Sequence, residues 1–297
     1  MKSLKVKVKR LRPLLGTFVA IELQGEVEQE LLNEYITAGF EAISQIDRLM
    51  SYYRFDSDLT RLNLAKAGEL MEVHPCTLDV LKISNELFQA SDGIFDIRCG
   101  SVLAHRGIIP SFSRYSRFHS LISEDLPLEV NGTKVRKTGP WIFDLGGIAK
   151  GYAVDYAVKR MQYLSSGLVI SGVVNAGGDL RKWGNDSTPM ATRIYGETFS
   201  LLRLFQITST AVATSSVRAS SDSSQGLTTV AHVMMPSGKF IREAKTVTVF
   251  GDECFLADAL TKIVLLGSAE VSNRCLSSYG ARALVFAGNG HLERAIS

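Results

Sequence analysis

Charged and apolar residues alternate at the start of the chain. Lys2, Lys5, Lys7, Lys9, Arg10 and Arg12 are interleaved with Leu4, Val6, Val8 and Leu11, the period of a strand with one solvated face. The period then changes. Through "VEQELLNEYITAGFEAISQIDRLMSYY", Leu31, Leu32, Tyr35, Ile36, Phe40, Ile43, Ile46, Leu49 and Met50 fall at helical spacing, which predicts a long amphipathic helix. "SDLTRLN" follows, with Ser57 placed to cap a short turn. A second helix is predicted over "TLDVLKISNELFQASDG", ending near Gly93. Strand-like pieces are "GPWIFDL", "GLVISGVVNAGG", "TRIYGE", "SLLRLFQIT", "VAHVMMP", "KTVTVF" and "RALVFAG", with helices near 148–162 and 253–265 among them.

Strands that arrive in runs, joined by Gly-containing turns, predict an α+β fold with a largely antiparallel sheet and packed helices. No solenoid period and no Pro/Gly linker interrupts the chain, so residues 1–297 read as a single domain. The Ser/Thr-rich stretch "TSSVRASSDSSQGLTT", residues 214–229, reads as an exposed loop.

Composition narrows the classes. A hydrophobic fraction of 45% and a charged fraction of 21% suit a folded globular chain. A net charge of +3 argues against nucleic acid as a partner. No apolar run approaches the ~18 residues of a membrane helix, so no transmembrane segment is expected. The opening "LLGTFVAIEL" contains Gly16 and Thr17, lacks a following A-x-A site and meets Glu22 early, which argues against a secretory signal. Cys76, Cys99, Cys254 and Cys275 are widely spaced and read as free thiols rather than a disulfide frame or zinc site. These features favour a cytoplasmic setting, with the periplasm as the alternative.

The candidate chemistry centres on "FDLGGIAKGYAVDY". An apolar segment ends in Asp144, passes through a Gly-Gly turn and enters a helix carrying Lys150 in its first turn. Such a helix start presents unpaired backbone N–H groups and a positive dipole end, a setting for an anion. The spacing is neither G-x-G-x-x-G nor a P-loop. "VNAGGDL" repeats the arrangement with Asp179. "SDGIFD" supplies Phe95 and Asp96, "AVATSS" supplies small hydroxyls, "AHVMMP" carries His232, and "FLADALTK" carries Asp258, Thr261 and Lys262.

Taken together with "LLGTF", "IDRLMSYYRFDSDLTRLN" and "HVMMPSGK", these pieces resemble the ApbE family, the FAD:protein FMN transferases formerly called thiamine-biosynthesis lipoproteins. The resemblance covers about residues 13 to 267. It implies an ApbE-like fold that takes FAD as substrate, with a divalent metal, usually Mg²⁺, on the diphosphate. The implied reaction transfers FMN to a threonine of an acceptor protein and releases AMP. Position by position, Tyr53, Phe95, Asp96, Asp144 and Lys150 match cofactor-binding positions, and Asp179 joins them through the second Gly-Gly turn. Gly147 and Asp258 match metal-holding positions, and His232 matches a histidine suggested to assist proton transfer.

The sequence also departs from the family. Lys262 stands where the resemblance implies a metal-binding threonine, Phe255 where some members carry an acid, and Met235 where an aspartate is usual. Lys262 reads either as an (i, i+4) ion-pair partner of Asp258 or as a cation facing phosphate, and Thr261 reads as a substitute metal hydroxyl. His232 reads as a proton carrier or as a hydrogen-bonded core residue. Two alternatives to transfer stay open: an FAD-binding protein without transfer activity, and an FAD pyrophosphatase that uses water as nucleophile.

Overall fold

The computed structural model describes residues 5–110, 125–195, 200–217 and 243–297. His232, Met235 and the strand expected at 230–236 lie outside them. In chain order the first elements are β1 (Val6–Leu14), β2 (Thr17–Gly25), α1 (Gln29–Met50), α2 (Asp58–Leu64), β3 (Met71–Glu72), α3 (Pro75–Ala90), α4 (Cys99–His105), β4 (Leu128–Asn131) and β5 (Lys134–Lys137). Then come α5 (Ala149–Ser165), β6 (Val169–Ala176), β7 (Asp179–Trp183), β8 (Thr188–Tyr195), β9 (Ser200–Ile207) and β10 (Thr210–Val217). The chain closes with β11 (Lys245–Gly251), α6 (Cys254–Leu266), α7 (Ala269–Ser278), β12 (Arg282–Ala287) and β13 (Leu292–Ile296).

Eight strands form one sheet in the order β1-β2-β6-β7-β10-β11-β12-β13, antiparallel at every junction. Its first hairpin is the alternating start of the chain, and β1 shows the matching alternation of burial. Leu15 and Gly16 make the turn with φ of 55° and 68°, the left-handed pair that a two-residue hairpin of native twist requires. Val19, Ile21 and Leu23 of β2 are fully buried, each contributing about 1.5–3 kcal/mol of hydrophobic stabilisation. Helix α1 covers β1 and β2, α5 covers β6 and β7, and α6 covers β10 and β11. No described helix is long and apolar enough to cross a membrane.

Strands β10 and β11 are buried on both faces. Ala211, Ala213, Val247 and Val249 join the core beneath α6, whereas Val212 and Leu180 meet Met190 and Ile207 of the β8–β9 hairpin on the other side. Burial on both faces erases the alternation that would have marked β10 as a strand. Residues 214–217 of the expected loop therefore belong to β10; the remainder of that loop, apart from these four residues, lies outside the described region.

"GPWIFDL" does not form the strand its composition suggested. Residues 141–145 belong to no sheet, because side chains take the place of a neighbouring strand. Asn63 grips Phe143 at both backbone groups, accepting from its N–H at 2.7 Å and donating to its carbonyl at 2.9 Å. Ser101 accepts from the Ile142 N–H at 2.8 Å, and the Asp144 N–H donates to the Ile97 carbonyl at 2.8 Å. A Cβ on Gly100 would stand 2.6 Å from the Ile142 carbonyl oxygen, so this helix–segment approach demands glycine. Lys137, buried at the end of β5, donates to the Asn63 and Trp141 carbonyls at 2.9 and 3.2 Å. Together these bonds fix the segment that delivers Asp144 and the Gly-Gly turn to α5.

The two central helices touch through Gly151, where a Cβ would lie 2.5 Å from the Cys254 carbonyl oxygen and 2.6 Å from Phe255 Cα. Asp155, one turn on, accepts from the Phe255 N–H at 3.0 Å and from Arg181 at 2.7 Å. It caps α6 from a neighbouring helix, at a start where Glu253 makes no side-chain cap of its own.

Two outcomes follow. Gly151→Ala overpacks the α5–α6 contact and should cost about 1–3 kcal/mol in urea unfolding. Burial, opposed in part by Glu69, lowers the Lys137 pKa from 10.5 to about 8. The folded state therefore sheds this proton first, and Lys137 adds stability as pH rises from about 8 to 10.5. Lys137→Met should remove that rise from the variant's stability–pH curve, relative to the parent chain.

Candidate active site

Three elements bring four charged side chains together. Lys150 sits in the first turn of α5, Asp179 begins β7, and Asp258 and Lys262 lie one turn apart on α6. The Lys150 ammonium is 2.5 Å from Asp179 Oδ2 and 3.5 Å from Asp258 Oδ2. The Lys262 ammonium donates to Asp258 Oδ1 and, at 3.0 Å, to the Asp258 main-chain carbonyl. Side-chain exposure falls from 35% at Lys150 to 9% at Lys262, 5% at Asp179 and 1% at Asp258. Lys150 is thus the member that reaches solvent.

Local rules explain each placement. Asp258 and Lys262 share a helix face because four residues make about one turn. Asp179 is aimed by Gly177 and Gly178, whose φ values of 66° and 109° are left-handed, and Asn175 Oδ1 accepts from the Gly178 N–H at 3.0 Å. Burial and the adjacent Asp258 charge push the Asp179 carboxyl above the usual carboxylate range, against the pull of Lys150 and Lys262. For Lys150, burial acts to lower the pKa, but Asp179 and Asp258 outweigh it and hold the ammonium above its ordinary value.

Beside the cluster lies a small crevice of about 40 Å³, lined in part by Phe95, Asp96, Asp144, Gly147 and Lys262. It holds a few waters or one phosphate-sized group. Gly147 leaves its wall open, since a Cβ there would stand 3.5 Å from the Phe95 ring and 3.6 Å from Lys262 Cε. Asp144 Oδ2 accepts from the Gly146 N–H at 3.2 Å, bracing the Gly-Gly turn.

The other sequence-derived candidates divide. Asp96 lines the crevice with its carboxylate committed to buried Arg98, 2.8 Å away. Burial raises its pKa and Arg98 opposes the shift. The guanidinium also lies over Phe88 and Trp141, at 4.8 and 5.3 Å from the ring centres. Asp96 is therefore held as a structural anchor by Arg98, two residues along in "FDIR", which no motif in the sequence singles out. Tyr53 is 67% exposed and meets the edge of Tyr52, while Tyr52 is the buried tyrosine whose phenol is pushed up by burial and by the charge of Asp144. The Thr261 hydroxyl donates to the Asp258 carbonyl at 2.6 Å, the oxygen that Lys262 also contacts, and is bonded to Ser215 Oγ at 2.6 Å.

A resident divalent cation does not fit this arrangement. Mg²⁺ needs near-octahedral oxygen ligands at about 2.0–2.1 Å. Lys262 already takes Oδ1 and the main-chain oxygen of Asp258, and Lys150 faces Oδ2, which has no hydrogen-bond partner among the described residues. Like unit charges 4 Å apart repel by about 4 kcal/mol at an effective dielectric of about 20, and a divalent ion doubles that. Among the described residues no group of three or more His, Cys, Asp or Glu side chains could hold a metal.

Comparison with known proteins agrees with the fold. The model of the ApbE family matches residues 15–285, and the chain belongs to that family. An FAD:protein FMN transferase of Vibrio cholerae serotype O1 is 27% identical over 248 residues, 75% of this chain and 73% of the relative. Solved structures of the flavin transferase ApbE from Vibrio cholerae (TM-score 0.79, 23% identity, 99% and 98% of the two chains) and the flavinyl transferase ApbE from Pseudomonas stutzeri (0.77, 22%, 99% and 95%) share the fold. So does the ApbE protein from Thermotoga maritima, at TM-score 0.80 and 23% identity over 97% of each chain.

Lys150→Met leaves Asp179 and Asp258 facing each other across a buried gap. Partial exposure of the lysine reduces the usual cost of breaking a buried pair to about 2–3 kcal/mol. Adding Asp179→Asn should return more than half of that in urea unfolding, because the repelling carboxylate is gone.

Proposed function

We propose that this chain is an FAD:protein FMN transferase, moving FMN from FAD to a threonine hydroxyl of an acceptor protein with release of AMP. The observation that carries the reading is the convergence of Lys150, Asp179, Asp258 and Lys262, the last of which also lines the crevice beside Gly147, in a chain of a family with a relative that carries that activity in its name. The threonine oxygen would attack the phosphorus on the flavin side of the diphosphate, forming a P–O bond as the bond to the AMP phosphate breaks. Diphosphate charge and leaving-group charge both need cationic neighbours. Lys150 and Lys262 supply them from this chain.

The hydroxyl proton needs an acceptor within hydrogen-bond reach. Among the described residues Asp258 Oδ2 is a buried carboxylate oxygen without a hydrogen bond, facing Lys150 at 3.5 Å. His232, outside the described residues, is the second candidate that the resemblance offers. Magnesium has no step in this scheme, since the carboxylate that would hold it is neutralised by Lys262. That neutralisation favours one rival, a protein that holds FAD and does not transfer it.

The products separate the readings. After incubation with FAD and a threonine-containing acceptor, intact-mass spectrometry should show the acceptor heavier by one FMN and chromatography should show AMP. Bound, unchanged FAD would instead identify a carrier, and free FMN with AMP a pyrophosphatase. Asp258→Asn should lower transfer by roughly 10²- to 10⁴-fold, the range for losing a positioned proton acceptor.

A further inference from the structure

The Lys262 ammonium occupies an unusual position. It bridges a carboxylate oxygen and a main-chain carbonyl oxygen of the same residue, Asp258. Those are the donor types that a hard cation recruits. Its stem runs along Gly147, whose absent Cβ would touch Lys262 Cε at 3.6 Å, and the side chain forms part of the crevice wall. Lys150 stands on the other side of the same carboxylate, 3.5 Å from Oδ2. An ammonium carries three N–H donors. Among the described residues Lys262 spends two on Asp258 and Lys150 spends one on Asp179. Each lysine therefore keeps donor capacity for a phosphate oxygen.

We infer that this chain binds the diphosphate of FAD without a divalent cation, with the Lys262 ammonium as a cation tethered to the site. The inference rests on the proposed function for the identity of the ligand. It deepens that reading by making Lys262 a replacement for the metal in ground-state binding of FAD, measurable apart from transfer. A tethered cation is present at all times and is insensitive to chelators, whereas a bound metal is drawn away by them.

The experiment is an FAD titration followed by flavin fluorescence, run once with EDTA and once with excess Mg²⁺. The parent chain should give dissociation constants within about twofold of each other, well under the tenfold that corresponds to 1.4 kcal/mol. Lys262→Thr frees Asp258 and adds a hydroxyl. It should lose on the order of tenfold or more in EDTA and regain most of it with Mg²⁺. Lys262→Met keeps the apolar stem and should lose affinity in both buffers, with circular dichroism confirming its fold. If that variant fails to fold, the EDTA-against-Mg²⁺ comparison on the parent chain still decides.

FAD binding by the parent chain only with Mg²⁺ would overturn the inference and leave the transferase reading standing. Absence of FAD binding in either buffer would overturn both.

Discussion

The contact on which the site depends is the Lys150 ammonium shared between Asp179 and Asp258. It ties the start of α5 to the start of β7 and to the face of α6, three elements far apart in the chain. Two buried carboxylates beside one another would repel and protonate without it. With it the two carboxylates share one cation, and Lys262 pairs with Asp258 from the same helix. The cluster is thus a set of opposed charges in which no member can be removed without exposing another. Such an arrangement is weak evidence for stability and stronger evidence for function, since well-packed apolar residues serve stability as well.

Backbone proximity makes the cluster possible. Gly151 lets α5 and α6 meet at their first turns, and Gly100 lets α4 lie against the segment before Asp144. Gly177 and Gly178 turn β6 into β7 through conformations that other residues resist. These glycines act for three different reasons, a helix contact, a segment contact and a left-handed turn, although in the sequence they look alike.

Much of this could be read from residues. The alternation in β1 and the helical period of α1 are local, so they were visible directly. Ser57 was recognisable as a cap, and its Oγ accepts from the Thr60 N–H at 3.0 Å. The Gly-Gly turns and the helical (i, i+4) spacing mark Asp144, Lys150, Asp179 and Asp258 in short windows, whereas Gly147 is singled out only by the family resemblance, and the structure brings Lys150, Asp179 and Asp258 together. What stayed hidden depended on distant partners. Residues 141–145 had strand composition, but Asn63 and Ser101 replace a ladder from elsewhere in the chain. β10 lost its alternation to the β8–β9 hairpin above it. The burial of Arg98 is likewise invisible locally, because it depends on Phe88 and Trp141, which lie elsewhere in the chain.

The cap that Asp155 places on α6 has a mechanical consequence. Because α5 holds both Lys150 and the carboxylate that fastens the first turn of α6, a tilt of α5 drags the α6 terminus along with it. Through Arg181 the same Asp155 carboxylate also reaches β7, the strand that Asp179 begins. Lys150 and Asp258 are thus joined twice over, by their own ion pair and by a cap at the far side of the α5–α6 contact.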